Sequence, residues 1–122
     1  MTIIEAINGI DTLKPNTYTQ EQKIAWLSAL DGRMKADVID THEGGEKVVF
    51  EGYNEATDPD TPLIITAPYD EVYITYLEMK IDFANAEYDK YNNSAYLFNS
   101  QLDEYKKYYN RTHMPKSISI LY

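Results

Sequence analysis

The sequence predicts a mainly α-helical fold: a small antiparallel bundle of about four helices, the last two forming a long helical hairpin, with a small β-hairpin insert. Three observations carry this prediction. Apolar residues recur every three or four positions over residues 3–10, 24–38 and 74–109, the period of an α-helix with one buried face. Between the second and third stretches, Lys47-Val48-Val49-Phe50 and Leu63-Ile64-Ile65-Thr66 are short and β-branched, with turn formers between them. No stretch reads as a linker or an internal repeat, so the 122 residues form one domain.

The elements follow in order. Thr2-x-x-Glu5 has the form of a capping box, in which the threonine accepts from a free backbone N–H and the glutamate reaches back. Ile3, Ile7 and Ile10 share one face, and the helix is expected to stop near Asp11-Thr12, before Lys14-Pro15-Asn16. Thr19-x-x-Gln22 signals a second start. Ile24, Leu27, Leu30, Met34 and Val38 then line a helix with Trp26 near the edge of its stripe, and Gly44-Gly45 ends the region. The two β-branched runs flank a polar loop over residues 54–62, which places the hairpin insert at about 46–66. Two strands alone are marginal, so this pair must lean on the helices or on a neighbouring molecule.

After Pro68 the helical period returns through Ile74, Leu77, Ile81, Ala84, Tyr88 and Tyr91. Asn92-Asn93-Ser94 is expected to interrupt it as a turn, after which Ala95, Phe98, Leu102, Tyr105 and Tyr109 continue to a stop at Met114-Pro115. Residues 1–116 are thus the helical domain. Ser117-Ile118-Ser119-Ile120-Leu121-Tyr122 alternates like a strand and reads as an extended C-terminal tail.

Composition narrows the function. Twenty acidic against eleven basic residues give a net charge of −9, which disfavours a generic nucleic-acid binder, because such proteins need surplus cations to displace phosphate counterions. No cysteine is present, so there is no disulfide frame, thiolate metal site or cysteine nucleophile. Apolar runs are far shorter than a membrane span, and Met1-Thr2-Ile3-Ile4 lacks the basic start of a signal peptide; a soluble protein kept inside a cell is expected. The charge is segregated. Residues 46–92 hold eleven acids and three bases, whereas residues 93–122 hold two acids and four bases. This is either the scatter of a solvated surface or a pair of complementary ends that meet head to tail between copies.

Little in the sequence points to catalysis. His42 and His113 fall in breaks between elements, and no nucleophile elbow, phosphate-binding glycine loop or helical histidine pair is present. His42 with Asp40 and Glu43 offers a weak cation site. Glu55, Asp58 and Asp60 offer another, without the glycine pivot and closing glutamate of a calcium-binding loop. Neither pattern rises above ordinary turn chemistry, so no enzyme activity, metal or cofactor is expected. Twelve tyrosines are the unusual feature. Most fall on helical stripes and suit packing, but Tyr108 and Tyr109 are adjacent and cannot both point inward. Tyr18, Tyr53 and Tyr96 lie off the seams, where tyrosine suits an interface. Lys106, Lys107, Arg111 and Lys116 make the only basic patch, fit either to complement a helix C-terminus or to dock on an acidic partner.

Six strings carry a resemblance. Thr12-Leu-Lys-Pro-Asn-Thr-Tyr18, Lys23-Ile-Ala-Trp-Leu-Ser-Ala-Leu-Asp31, Ile39-Asp-Thr-His-Glu-Gly44, Ala67-Pro-Tyr-Asp-Glu-Val-Tyr73, Lys90-Tyr-Asn-Asn93 and Tyr108-Tyr-Asn-Arg-Thr-His-Met-Pro115 are separate strings on which a likeness over roughly residues 1–116 rests. They resemble the small head–tail connector proteins, also called head-completion or neck adaptor proteins, of tailed phages and prophages of Gram-positive bacteria. The resemblance implies a mainly helical fold and no catalytic residues. It implies a ring of about a dozen copies below the phage portal protein, extending the DNA channel and providing a platform for the next neck or tail protein. The implied location is the virion neck, after synthesis in the host cytoplasm, with no membrane and no specific nucleic-acid contact. An acidic wall suits that role, because it lets DNA pass without neutralising its phosphates.

Within that reading, Glu55, Asp58 and Asp60 are the candidate channel-facing acids. Lys106, Lys107, Tyr108, Tyr109, Arg111, Ile118, Ile120 and Tyr122 are the candidate contact with a neighbouring subunit or the portal, the alternating tail being fit to add to a sheet edge. The alternative reading is a small acidic phage-encoded interaction or regulatory protein without catalytic activity.

Overall fold

The computed structural model describes residues 1–116, so the alternating segment 117–122, with Ile118, Ile120 and Tyr122, lies outside the described residues. The fold is mainly helical, with four α-helices: α1 (Ile3–Leu13), α2 (Gln20–Met34), α3 (Val72–Ala84) and α4 (Tyr88–Thr112). Both predicted N-caps form. Thr2 Oγ1 accepts from Glu5 N while Glu5 Oε1 accepts from Thr2 N, and Thr19 Oγ1 accepts from Gln22 N. Past Met34, α2 widens into one π-helical turn, Lys35–Ile39, which keeps Val38 and Ile39 on the buried side. A left-handed Gly44 (φ 84°) then reverses the chain, and Gly45 packs so closely that a Cβ would lie 2.5 Å from the Ile39 carbonyl oxygen.

α3 and α4 form the expected antiparallel hairpin. Phe83 meets Tyr91, Asp82 meets Ser94, Tyr76 meets Phe98 and Tyr69 meets Tyr105, in reversed order along the two segments. α1 and α2 pack against α3, so the core is a single cluster built from Ile3, Ile7, Ile10, Leu27, Leu30, Leu77, Ile81, Phe98 and their neighbours.

Two expectations are corrected. The turn between α3 and α4 lies at residues 85–87, and α4 runs unbroken through Asn92-Asn93-Ser94. The stop is a Schellman motif: Glu87 N donates to Asp82 O and Ala86 N to Phe83 O, with Ala86 left-handed at φ 59°. Asn92 and Asn93 face solvent, while the buried Ser94 points inward to Asp82, so neither asparagine has to break the helix. As a result Tyr88, expected on the buried stripe, is exposed.

The second correction concerns the β-hairpin at 46–66, which does not form; the described residues contain no sheet, only isolated bridges such as Thr2 with Pro62. The backbone donors of the second run are already engaged. Leu63 N donates to Met1 O (2.9 Å), Ile64 N to the Asp31 carboxylate (3.0 Å) and Ile65 N to the Tyr73 hydroxyl (2.7 Å), while Pro62 has no N–H. The first run is held against α2 instead, where Tyr53 N donates to Ser28 Oγ (2.9 Å) after a left-handed Gly52.

Candidate functional site

The last turns of α4 carry the candidate basic and aromatic end. Tyr109 sits on the apolar stripe of α4 and is only 6% exposed, so it is a core residue. Its ring lies edge-on to His42 at 4.9 Å and stacked on His113 at 3.9 Å. Tyr108, one position round the helix, is half-buried against Tyr69. Lys106, Lys107 and Arg111 are exposed, and the helical period divides them. Lys106 and Asn110 line a shallow hollow beside His42, of ≈ 210 Å³, whereas Lys107 and Arg111 line another beside Tyr69 and Glu104, of ≈ 230 Å³. Lys107 also pairs with Asp103 (3.1 Å) on the open helix surface, where such a pair contributes little. The patch that reads as one in sequence is therefore two cationic edges on either side of a buried aromatic ring.

His42 is buried and structural. Nδ1 lies 2.6 Å from Val38 O and Nε2 lies 2.7 Å from Asn110 Oδ1, which ties the end of α2 to α4. Lys116 N donates to Thr41 O and Glu43 N to Met114 O, so the chain after α4 is stitched antiparallel to the residues around His42. Among the described residues, no three His, Cys, Asp or Glu side chains converge as metal ligands.

Glu55, Asp58 and Asp60 are all exposed, on a loop shaped by its own side chains. Asp58 Oδ1 accepts from Asp60 N (2.9 Å), and Asn54 Oδ1 accepts from Ala56 N (2.8 Å). The same loop caps α1, since Ile3 N donates to Thr61 O and Ile4 N to Pro59 O. Its acids thus lie near the positive end of the α1 dipole, where negative charge is favourable.

The most buried polar group is one the sequence reading passed over. Asp31 is 0% exposed on the core side of α2. Its carboxylate accepts from Tyr73 Oη (2.6 Å), Tyr53 Oη (2.6 Å) and Ile64 N (3.0 Å). Burial pushes this carboxyl above the ordinary range, and the donors from Tyr53, Tyr73 and Ile64 pull it back only in part. Burial and the Asp31 charge together push both tyrosine hydroxyls far up, so they stay protonated and donating. The signal was available: Asp31 follows Leu27 by four and precedes Met34 by three, a carboxylate on an apolar stripe.

Two further buried charges repeat the pattern. Lys23, 3% exposed, reaches Asp11 at 2.6 Å, and the buried Asp82 is paired with Lys14 and accepts from Ser94 Oγ (2.8 Å). That pairing holds the Lys14 ammonium above its usual range, through the Asp82 hydrogen bond first. Tyr18 and Tyr53, left over for contact in the sequence, spend their hydroxyls on Asn85 and Asp31. Exposed apolar surface lies elsewhere, at Val49, Tyr96, Met114 and the hairpin tip formed by Phe83 and Tyr88. No helix of the described residues is long and apolar enough to cross a membrane. Comparison with protein-family models, with curated proteins and with solved structures finds no match for this chain.

Proposed function

We propose that this chain is a structural, non-enzymatic virion protein: a head–tail connector that assembles as a ring below the phage portal, extends the DNA channel and seats the next neck or tail protein. The observation that carries the reading is where the resembling strings fall in the fold. Asp31 and Tyr73, from two separate strings, meet in one buried network, and His42 and Asn110, from two others, meet in the second. The strings therefore supply the residues that join distant parts of the chain, and their likeness to connectors is a likeness in fold-determining positions.

Chemistry and charge agree with this role. The buried ionisable groups Asp31, Asp82 and His42 are each taken up by structural partners, whereas the exposed groups are aromatic, apolar or charged in separated regions. Surfaces of that kind serve binding by shape and charge. The net charge of −9 leaves DNA free to pass. The decisive test mixes the full chain with the portal protein of the phage or prophage that encodes it and examines the product by size exclusion and electron microscopy. A stoichiometric ring on the portal's tail-side face is the expected result. A chain that leaves the portal untouched at every concentration excludes the connector role and favours the small acidic regulatory protein.

A further inference from the structure

Residues 49–57 are joined to the rest of the fold by very little. None of them is buried, and Val49 is 80% exposed. The N–H groups of Val49, Phe50, Glu51 and Gly52 have no hydrogen-bond partner among the described residues. Residues 54–57 bond to themselves: Thr57 N donates to Asn54 O (3.0 Å), Asn54 N to Thr57 Oγ1 (2.9 Å) and Ala56 N to Asn54 Oδ1 (2.8 Å). Among the described residues, one side chain and its own amide tie the stretch to another element. Tyr53 donates from N to Ser28 Oγ (2.9 Å) and from Oη to Asp31 Oδ2 (2.6 Å), both on α2. Phe50 lies edge-on to Tyr53 at 5.1 Å and over Gly32, where no side chain holds the ring away. Both flanks are anchored. On one side Val48 N and Lys35 Nζ donate to Gly45 O; on the other Ile4 N donates to Pro59 O and Ile3 N to Thr61 O. A stretch closed on itself, tied at its ends and held midway by one residue opens as a unit, because few buried contacts resist it.

We propose that residues 49–57 are a lid latched by Tyr53, which opens while the helices and residues 59–65 stay folded and brings the buried Asp31 carboxylate to the floor of the cleft beside it. That cleft, of ≈ 450 Å³, is lined by residues 48–53, Thr57 and residues 61–64. The two donors on Asp31 Oδ2, Tyr53 Oη and Ile64 N, come from its two sides, so the carboxylate lies directly behind it. With the lid closed Asp31 is 0% exposed. Withdrawing Tyr53 removes one donor and leaves Ile64 N and Tyr73 Oη in place, so Asp31 stays anchored and gains a free acceptor site. Water entering behind the lid takes over the lost hydrogen bond, and for that reason opening costs less than unfolding. The fixed side is differently built: Leu63 and Ile65 are buried, and Leu63 N, Ile64 N and Ile65 N are bonded to Met1 O, Asp31 and Tyr73. The lid rests on these contacts alone and stands without the connector reading.

Native-state hydrogen exchange of the full chain, repeated in rising sub-denaturing urea, tests it. The Tyr53 amide, bonded to Ser28, should exchange through lid opening. Its protection should lie about tenfold or more below that of Ile64 and Ile65 and respond weakly to urea, because the lid exposes little surface. The Ile64 and Ile65 amides should instead exchange together with those of Leu77 and Ile81 in α3, through a larger and urea-sensitive opening. The variant Y53F keeps the ring and loses the latch hydroxyl. It should lower the protection of the residue-53 amide by about tenfold or more, the loss expected for a hydrogen bond to a charged acceptor, and leave Ile64 and Ile65 within about twofold. A Tyr53 amide as well protected as Ile64 and Ile65, falling with them in urea, makes the segment part of the same cooperative unit and overturns the proposal. Equal losses at all three positions in Y53F overturn it as well.

Discussion

The hairpin of α3 and α4 and the irregular segment over residues 48–66 solve the same problem by opposite means. In the hairpin, backbone groups are paired within each helix and the Schellman stop closes the turn, so side chains only have to pack. In the irregular segment, several backbone donors are satisfied one at a time by side chains brought from elsewhere: Ser28 for Tyr53, Asp31 for Ile64, Tyr73 for Ile65. The first arrangement is self-sufficient. The second depends on a few distant residues and leaves the N–H groups of residues 49–52 without a partner among the described residues, so the free backbone lies there rather than on the helices.

The largest expected effect comes from removing the clasp between the two regions. Asp31→Ala strands two buried hydroxyls and one backbone N–H, and should cost about 3 kcal/mol or more in urea unfolding. Asp31→Asn keeps an oxygen acceptor and should cost less. The same pair of proteins reads the ionisation of Asp31. Because its folded pKa is raised, the folded state binds the extra proton. Its contribution is fully present below the ordinary value of 3.8 and is lost as pH rises through the raised folded value. Wild-type stability measured relative to D31N should therefore fall with rising pH across that window and then level off. A difference that grows with pH contradicts the placement of Asp31.

A smaller effect tests the hairpin. Ala86 holds a left-handed conformation that glycine adopts without strain, so Ala86→Gly should stabilise the protein by about 1 kcal/mol, despite removing a methyl group. An unchanged or lowered midpoint contradicts the Schellman stop.

The two regions also differ in how far the sequence discloses them. The helices were legible because their period of three and four repeats over many residues, and the caps at Thr2 and Thr19 were legible because capping is local. The break at Asn92-Asn93 misled because asparagines usually signal turns, whereas here Ser94 buries its hydroxyl against Asp82 and keeps the helix running. The real stop rests on an alanine, which carries no turn signal. The hairpin insert misled for a physical reason: β-branched runs favour an extended backbone but do not report which partner takes the hydrogen bonds, and here Lys47 ends a 3-10 turn while side chains take the N–H groups of Ile64 and Ile65. At the candidate site, the exposure of Lys106, Lys107 and Arg111 was legible from their charge, and the place of Asp31 on an apolar stripe from its spacing. The partners of Asp31 and the burial of His42 depend on tertiary neighbours that no local pattern names.

Amide hydrogen exchange of the wild type in dilute solution, followed residue by residue, tests most directly the claim that the helices are a closed frame and residues 49–52 an open segment. In dilute solution the amides within α3 and α4 should be protected, whereas those of Val49, Phe50, Glu51 and Gly52 should exchange nearly as freely as an unfolded chain. Strong protection of Val49, Phe50, Glu51 and Gly52 in the dilute monomer would contradict the open segment and the division of labour built on it.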